Sequence, residues 1–373
     1  MKTKRETGWK VPKAIVVLMF ACLLLWKGNV IVKAENYIPL QVNKEVVAYD
    51  VYNNTYMYEF TVPGNGYIQI VGKDSGREFK VNLYDESGQS IYSSYSDSGD
   101  TFVSRRIGFR AGTKLYLKIS NHWGSGNVTF KVTYQPSSNW EQEFNDNTAS
   151  ATKIVAGKKM YGNGYCDYDV DYYRFTIKKN SKVTIEMGPD YIDGNNHYWS
   201  AKLVDARGRE YKFYDCSRPT IEKNSFYLKK GTYYIRVYNW DGEDFPYYVK
   251  YSAKSFSVNK PSIQKVKLGV GQYWFTYRPY LRAMKVTNKG EYTGYDIRVS
   301  TSAKGNGNVQ QQSYEGKKGT TFKGTSYFEK SVKTYYVKAR TYVTTPFGDK
   351  LYSKYCKPRK VSLTNSQYKK VKK

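Results

Sequence analysis

Hydrophobic and polar residues alternate in short runs along most of the chain, and clusters of Gly, Asn, Asp and Ser separate these runs. An alternation with a period of two places successive side chains on opposite faces of a β-strand. No long stretch of the sequence shows the 3.6-residue period of an amphipathic helix. The pattern therefore predicts an all-β fold made of several β-sandwich domains in tandem.

Two segments repeat the same order of strand and turn signals, about 115 to 120 residues apart. The signals are Tyr58–Val62, Leu83–Gly88 and Gly112–Ile119 in the first segment, and Tyr173–Ile177, Leu203–Gly208 and Gly231–Val237 in the second. Each is typical of a strand or of a strand with its turn. We therefore expect a common fold for domains at 35–135 and 140–254. A third β-rich domain is predicted at 262–363, followed by a basic tail at 364–373 that we expect to be disordered.

The first 34 residues have the pattern of a secretory signal peptide. Five Lys and Arg residues precede an apolar run, Ala14–Trp26, and Val32-Lys33-Ala34 fits a cleavage site. The apolar run is short for a membrane span, although retention as an uncleaved anchor is the alternative. No second apolar run follows, so we expect a secreted or extracellular protein without a stable membrane span, either free or associated with a cell wall.

The positive charge of the chain is concentrated in its last third. The whole chain has a formal net charge of +28. Residues 35–140 hold ten basic and ten acidic residues, residues 141–254 hold 18 and 16, and residues 255–373 hold 25 and 5. A field of that sign attracts polyanions. For an exported protein this indicates an anionic cell-wall polymer as the partner of 262–373, and export argues against nucleic acid.

Oxygen-bearing side chains cluster in two places near the start of the second repeat. They are Glu141, Glu143, Asn145 and Asp146, then Asp167, Asp169 and Asp171. In an extended segment, residues 141, 143 and 145 point to one side and residue 146 to the other. Calcium takes roughly six to eight oxygen ligands, so the spacing indicates a calcium site. Solvated acidic turns are the alternative, because Asp and Asn favour turns.

Aromatic and basic residues share one face of two predicted strands. In the strand that starts near residue 233, the outward positions hold Tyr234, Arg236, Tyr238 and Trp240, whereas Tyr233, Ile235 and Val237 point inward. Tyr, Trp and Arg dominate interface hot spots, so this face is a candidate ligand-binding surface. A similar division predicts that Tyr336, Lys338, Arg340 and Tyr342 point outward. A purely structural tyrosine ladder is the alternative for both.

Residues 141–254 resemble a bacterial pre-peptidase C-terminal domain. The resemblance rests on Glu143–Asp146, Asp169–Phe175 and Gly231–Val237. That family is a small β-sandwich jelly roll of secreted proteins, usually next to a protease, and it includes calcium-dependent collagen-binding domains. The resemblance implies calcium ligands at Glu141, Glu143, Asn145, Asp146 and Asp169, with Asp171 and Asp167 as provisional members. It also implies that aromatic side chains of the corresponding sheet face contact the ligand.

Two further segments carry weaker resemblances. Residues 37–134 share the strand signals of the same family but lack its acidic opening, so we expect no metal there. Residues 262–363 resemble a fibronectin type III-like domain, chiefly through Gly294–Ser300 and Tyr335–Arg340. Together the resemblances cover most of the chain beyond the signal segment and leave no room for a separate catalytic domain.

Three cysteines follow the signal segment. Cys166 and Cys216 fall in the same predicted domain and could form a disulfide in an exported protein, and Cys356 would then stay unpaired. Three free buried thiols are the alternative. The chain has two histidines, His122 and His197, and neither belongs to an HExxH motif.

The sequence therefore predicts a non-catalytic binding protein that attaches to an extracellular protein or polysaccharide through an aromatic sheet face. The basic third domain would hold the protein to anionic surface material. Two alternatives stay open. The chain could be an accessory module of a secreted peptidase system, or, on weaker grounds, a hydrolase of unrecognised type.

Overall fold

The computed structural model describes residues 37–373 except 75–77, 98–99, 125, 165–168, 191–198, 217–219, 240–245, 317–320 and 324–325. The predicted signal peptide, Cys166, Asp167, His197 and Trp240 lie outside the described residues, as does the side chain of Cys216. Almost all regular structure in the described residues is β-strand, arranged in six sheets with one short helix. The predicted all-β sandwich class is confirmed. None of the described residues form a helix of the length and hydrophobicity needed to span a bilayer.

The first module, residues 37–136, contains ten strands. They are β1 (Ile38–Pro39), β2 (Val46–Ala48), β3 (Tyr56–Thr61), β4 (Gly66–Asp74), β5 (Glu78–Tyr84), β6 (Ser90–Tyr95), β7 (Phe102–Val103), β8 (Ile107–Phe109), β9 (Lys114–Trp123) and β10 (Val128–Pro136). One sheet has the order β1-β3-β9-β5-β6, and the other has β2-β10-β4-β7, with β8 also paired to β4. Inward residues of both sheets form one buried core.

The central module, residues 139–255, contains nine strands. They are β11 (Thr152–Lys153), β12 (Met160–Gly162), β13 (Val170–Ile177), β14 (Ser181–Pro189), β15 (Trp199–Asp205), β16 (Glu210–Cys216), β17 (Glu222–Leu228), β18 (Gly231–Asn239) and β19 (Tyr247–Ser255). Its sheets have the orders β11-β13-β18-β15-β16 and β12-β19-β14-β17. Apart from β8, each strand of the first module has a counterpart at the same position in these two sheets, so the repeated sequence signals mark a repeated topology. The central module has its own buried core.

The third module, residues 262–371, contains eight strands and a helix. They are β20 (Ser262–Tyr273), β21 (Thr276–Thr287), β22 (Gly294–Ser300), β23 (Asn308–Glu315), β24 (Thr321–Lys323), β25 (Thr334–Thr344), β26 (Lys350–Tyr352), β27 (Arg359–Ser362) and α1 (Asn365–Val371). A sheet β20-β21-β24 faces a sheet β23-β22-β25-β26, in which β27 also pairs with β25. Residues of both sheets share one core. The likeness to a fibronectin type III-like domain stays a prediction.

Helix α1 corrects the expectation of a disordered basic tail at 364–373. Thr364 caps the helix, because its side chain accepts a hydrogen bond from the Gln367 backbone while the Gln367 side chain accepts one from the Thr364 backbone. Tyr368 and Val371 pack against the core of the third module. The tail is therefore a capped helix with a half-buried apolar side.

The junction between the central and third modules is polar and specific. The Arg209 guanidinium donates to Asp205 at 2.8 Å, to Asp349 at 2.7 Å and to the Phe347 carbonyl at 3.0 Å. The Phe347 ring stacks on Tyr233 with a centroid separation of 6.3 Å. The third module thus contacts the edge of the central core through its β25–β26 loop.

Candidate metal centre and aromatic face

The predicted ligand segment lies between the first and central modules. We call residues 139–145 the leader segment. Glu141 N donates to the Tyr161 carbonyl at 2.9 Å, and Tyr172 N donates to the Asn145 carbonyl at 3.0 Å, so the leader runs beside β12 and β13. On its other side, Glu143 N donates to the Gly108 carbonyl of β8 at 2.9 Å. A Cβ atom at position 108 would lie 2.1 Å from the Glu141 carbonyl oxygen, which explains the glycine.

An aromatic contact fixes the leader at the same junction. The Trp140 ring is 5% exposed and packs between Tyr67 of the first module and Tyr161 of the central module, with centroid separations of 4.9 and 6.2 Å. The Arg106 guanidinium lies 4.7 Å from the Trp140 ring centroid. The leader is therefore packed against both modules by contacts that do not involve a ligand.

The structure brings all six predicted ligand residues of the described chain together. One carboxylate oxygen each from Glu141, Glu143 and Asp171 lie within 4.8 Å of one another, and the same holds for Glu143, Asp146 and Asp169. Glu143 belongs to both groups and joins them. The Asn145 side chain is fully buried beside them, donating to Thr152 at 3.4 Å. The spacing of these residues in the sequence predicts the same set. It also includes Asp167, which lies outside the described residues.

Burial of the cluster is unusually deep for so many acids. Glu141 is 0% exposed, Asp171 2%, and Glu143 and Asp169 4% each, whereas Asp146 is exposed. The inward-facing set at 141, 143 and 145 and the outward Asp146 agree with the alternation expected of an extended segment. A buried ionised carboxylate is costly unless it is paired or coordinates a metal.

Two buried tyrosines hold the carboxylates at one end of the cluster. Tyr173 OH donates to Glu141 Oε2, and Tyr247 OH donates to Asp171 Oδ2. The two hydroxyl oxygens are 2.7 Å apart, and Asn163 N donates to Glu141 Oε1 at 2.7 Å. These contacts orient the two carboxylates and leave Asp171 Oδ1 without a hydrogen-bond partner among the described residues. Gly162 makes room for the arrangement, since a Cβ there would lie 2.3 Å from both Glu141 Oε2 and the Tyr173 hydroxyl.

Glu143 is the residue that most clearly lacks a counter-charge. Among the described residues, neither of its carboxylate oxygens has a hydrogen-bond partner, and Asn145 Oδ1 lacks one as well. Burial raises the pKa of Glu143 well above its ordinary value, and the neighbouring carboxylates of Asp169, Glu141 and Asp171 raise it further. Burial and Asp169 raise the pKa of Glu141 in the same way. A hard divalent cation would supply the missing charge, and the oxygen-only donor set fits calcium.

The tyrosine pair is the part of the site that sequence reasoning missed. In the sequence, Tyr173 has a place only in the strand signal Tyr173–Ile177 and the resemblance segment Asp169–Phe175, and Tyr247 has no role. Tyr247 is separated from Asp171 by 76 residues of chain and contacts it only because β19 and β13 belong to the two facing sheets of the sandwich. One signal in the sequence could have indicated Tyr173: it follows Asp171 by two positions, so both side chains lie on the same face of the strand.

The outer face of β18 follows the predicted alternation. Tyr233, Ile235 and Val237 are buried, whereas Tyr234, Arg236 and Tyr238 are half-buried on the opposite face. Trp240 lies outside the described residues. Arg236 donates to Glu210 at 3.2 Å, and its guanidinium lies 6.0 Å from the ring centroid of Tyr172.

A shallow hollow of about 400 Å³ lies on this face. Its lining residues come from three neighbouring strands and are Ser200, Lys202, Lys212, Asp215, Arg236 and Tyr238. The lining is polar and charged, with one aromatic side, and Lys202 and Lys212 are paired with Glu210 and Asp215. The arrangement can accept a polar chain with sugar or peptide groups, and it does not contain a catalytic set recognisable by geometry.

The structure corrects one member of the second predicted face. Tyr342 is fully buried instead of pointing outward. Its ring lies over Gly294, where a Cβ would come within 2.4 Å of the Tyr342 hydroxyl, and it packs on Tyr352 of β26 with a centroid separation of 5.7 Å. Arg340 is not free either, because its guanidinium donates to Asp296 at 2.8 Å. This face is therefore a structural layer of the third module.

The predicted Cys166–Cys216 disulfide involves side chains outside the described residues and stays a prediction. Cys356 is a buried free thiol, and its sulfur accepts a hydrogen bond from Ala339 N at 3.2 Å. Burial raises the pKa of this thiol, so it is poorly suited to act as a nucleophile.

Comparison with known proteins gives one family match. Residues 169–239 match the family model of the bacterial pre-peptidase C-terminal domain. The search of curated proteins finds no match. The matched residues include Asp169 and Asp171 of the carboxylate cluster, Tyr173 beside them, and the whole of the aromatic strand β18.

Solved structures show only distant likeness. The PBSX exported protein XepA is 9% identical, with 57% of this chain and 85% of that chain covered and a TM-score of 0.21. The CBM22-1–CBM22-2 tandem domain of Paenibacillus barcinonensis Xyn10C is 14% identical, with 57% and 86% covered and a TM-score of 0.19. Scores this low carry no argument about function. The family match covers the segment 169–239 of the central module, which is similar to the bacterial pre-peptidase C-terminal domain.

Proposed function

We propose that this protein is a secreted, non-catalytic binding protein whose central module holds a calcium ion and offers the outer face of β18 to an extracellular protein or polysaccharide. The observation that carries the proposal is the buried carboxylate cluster with an unpaired Glu143 at its centre. A cluster of buried acids in which both carboxylate oxygens of Glu143 lack a hydrogen-bond partner among the described residues is explained by a cation. The family match to the same segment supports a binding or accessory module over an enzyme.

The cation site and the aromatic face share two strands. Asp171 of β13 pairs with Val237 of β18, and the next residue, Tyr172, pairs with Arg236. Asp171 points into the sandwich, whereas Tyr172 lies on the outer face with Tyr234, at a centroid separation of 6.5 Å. Calcium would supply the charge that the inner side lacks. Its protein ligands would be Glu141, Glu143, Asn145, Asp146, Asp169 and Asp171. Fixing the inner side of β13 would fix the outer face that recognises the partner.

The third module supplies a second, electrostatic contact. Its few acidic residues are largely engaged: Asp296 pairs with Arg340, Asp349 with Arg209, and Glu291 with Lys182. Asp349 and Glu291 thereby face the central module. The large excess of Lys and Arg stays available to anionic surface material such as a cell-wall polymer. Two weak contacts on one chain reinforce each other through effective concentration.

Adsorption of the chain to isolated bacterial cell walls tests this proposal. We expect retention to fall steeply between low and high salt, because exposed charges are screened. In low salt, the double variant Tyr234→Ser/Tyr238→Ser is expected to weaken retention, whereas Tyr52→Ser, an exposed tyrosine of the first module, is expected to have no effect. Retention that is independent of both salt and the β18 tyrosines would contradict the proposed function.

The peptidase-accessory alternative is favoured by the family assignment itself. It predicts that the chain forms a complex with a peptidase secreted by the same cells, through the same β18 face. Co-purification from culture medium, compared between the wild type and Tyr234→Ser/Tyr238→Ser, distinguishes the two functions. Loss of a co-purifying peptidase in the variant, with unchanged adsorption to cell walls, would favour the accessory role.

A further inference from the structure

A long β-hairpin of the third module ends in three exposed aromatic residues. Strands β20 and β21 pair along their full length, and the final pair is Tyr273 with Thr276, which leaves Trp274 and Phe275 as the turn. Tyr273 is 39% exposed, Trp274 77% and Phe275 98%. We call these three residues the aromatic tip. Continuous exposure of three large rings at a protruding end differs from the scattered single apolar residues of an ordinary surface.

The turn chemistry of the aromatic tip works against local stability. Two-residue hairpin turns require positive φ angles, and Asn-Gly or similar residues are favoured there. Here Trp274 takes a φ of +56°, a conformation that is unfavourable for a bulky side chain. Local rules of this kind are broken mainly where function demands it. Two aromatic rings at the turn therefore indicate a use outside folding.

Contacts within the hairpin hold the aromatic tip in one conformation. The Gln272 side chain donates to the Trp274 carbonyl at 3.3 Å, and Thr276 Oγ1 donates to the Tyr273 carbonyl at 3.1 Å. The Tyr273 ring packs on Tyr327 with a centroid separation of 5.3 Å. These contacts fix the backbone of the turn, and the Trp274 and Phe275 side chains project from the end of the hairpin with 77% and 98% exposure.

The hairpin that carries the aromatic tip is basic in sequence. The hairpin, residues 262–287, contains five Lys and Arg residues and no Asp or Glu. The Arg278 guanidinium lies 4.6 Å from the ring centroid of Tyr273. Helix α1, which also carries lysines in its last turn, places Lys370 Nζ 4.4 Å from the ring centroid of Tyr277. Positive charge therefore flanks the exposed rings on both the hairpin and the helix.

We propose that the aromatic tip inserts into the interfacial region of an anionic lipid bilayer, with the basic hairpin and α1 against the headgroups. Aromatic side chains favour the membrane interface, and each nearby Lys or Arg adds attraction to anionic lipid. A bilayer is soft enough to accept a convex tip, whereas a protein or polysaccharide partner would need a matching pocket. The inference shares one premise with the proposed function, namely that the positively charged third module binds an anionic surface.

Vesicle binding by the full chain tests the inference. Sedimentation with phosphatidylglycerol-containing vesicles is compared with sedimentation with phosphatidylcholine vesicles, for the wild type and for Trp274→Ser/Phe275→Ser. We expect affinity for the anionic vesicles to fall at least about tenfold in the variant. Trp123→Ser is the matched control, because Trp123 is 79% exposed but belongs to the first module, and it is expected to bind as the wild type does.

A fluorescence measurement separates insertion from simple charge attraction. On anionic vesicles, the tryptophan emission of the wild type is expected to shift to the blue, and Trp274→Phe is expected to bind with little loss but without most of that shift. Unchanged vesicle affinity in Trp274→Ser/Phe275→Ser, or no vesicle binding by the wild type, would overturn the inference. Loss of self-association in the variant, with vesicle binding retained, would assign the tip to a second copy of the chain and also overturn it.

The outcomes of this test and of the proposed function are distinguishable. Cell-wall adsorption depends on the β18 tyrosines and on overall charge, so the tip variant is expected to adsorb to isolated, lipid-free walls as the wild type does. A tip variant that loses wall adsorption as well would show that the rings contact the wall polymer and not a bilayer.

Discussion

The Glu143→Gln substitution is expected to change stability in opposite directions with and without calcium. In chelator, Glu143 is a buried carboxylate with no hydrogen-bond partner among the described residues and with like charges on several sides. Leaving a buried group unsatisfied costs roughly 1–3 kcal/mol. Gln is neutral at every pH, so it avoids the cost of protonating a buried carboxylate, and its amide can donate to the neighbouring carboxylates. We therefore expect the free energy of unfolding to rise by about 1–2 kcal/mol in chelator.

With calcium present, the same substitution is expected to lower the free energy of unfolding. A cation at about a hundred times its dissociation constant stabilises the folded state by about 2.7 kcal/mol. Glu143 belongs to both groups of converging carboxylates, so its loss should remove most of that gain. Urea and thermal unfolding of residues 35–373 in chelator and in millimolar calcium, together with calcium titration calorimetry, measure both effects.

Asp205 provides the control for this comparison. It is 7% exposed in the same module, yet it accepts from Arg207 N and Arg209 N at 2.9 Å each and from the Arg209 side chain. Burial alone would raise its pKa, but these hydrogen bonds hold the pKa of Asp205 below its ordinary value. Asp205→Asn should therefore destabilise equally in both solutions. Equal destabilisation by Glu143→Gln would refute the cation site and assign Glu143 a purely structural role.

Three further predictions follow from the site and its junctions. Burial raises the folded-state pKa of Glu141 to about 8. The stabilisation from the protonated carboxyl is therefore complete at a pH below the ordinary pKa of a glutamate and is lost as the pH rises towards 8. Thermal unfolding in chelator should show a melting temperature that falls over this pH range, and calcium should remove the trend. Gly108→Ala places a Cβ 2.1 Å from the Glu141 carbonyl oxygen and 2.4 Å from Trp140, so calorimetry should show weaker calcium binding, and unchanged affinity would contradict the coupling of leader and first module. Arg209→Ala removes the contacts to Asp349 and should speed protease cleavage at 255–261, whereas the exposed Arg207→Ala should not.

Local periodicity explains which features the sequence could predict. Residues 141, 143 and 145, and residues 233, 235 and 237, are separated by two positions, so strand geometry alone places each set on one face. The repeated turn signals likewise predicted two sandwiches of the same kind. Contacts of this sort depend only on neighbours along the chain.

Contacts between residues that are far apart in the chain could not be predicted from the sequence. Tyr247 reaches the carboxylate cluster only through the facing of two sheets, and Tyr342 is buried only because β26 and Gly294 lie against it. The helix α1 is different, since Thr364 and Gln367 have the spacing of a capping box and could have indicated it. The aromatic tip was missed because its turn lacks the residues that normally mark one.

The pairing of Asp349 and Glu291 with basic residues of the central module has an effect on how the molecule approaches a charged boundary. Two of the five acidic residues in 255–373 lie at the inner junction of the third module, while formal charge rises from zero in residues 35–140 to +20 in residues 255–373. Such a gradient is an electric dipole along the chain. Near a negatively charged layer it exerts a torque, so the carboxyl-terminal end would arrive first and the amino-terminal sandwich would trail outward.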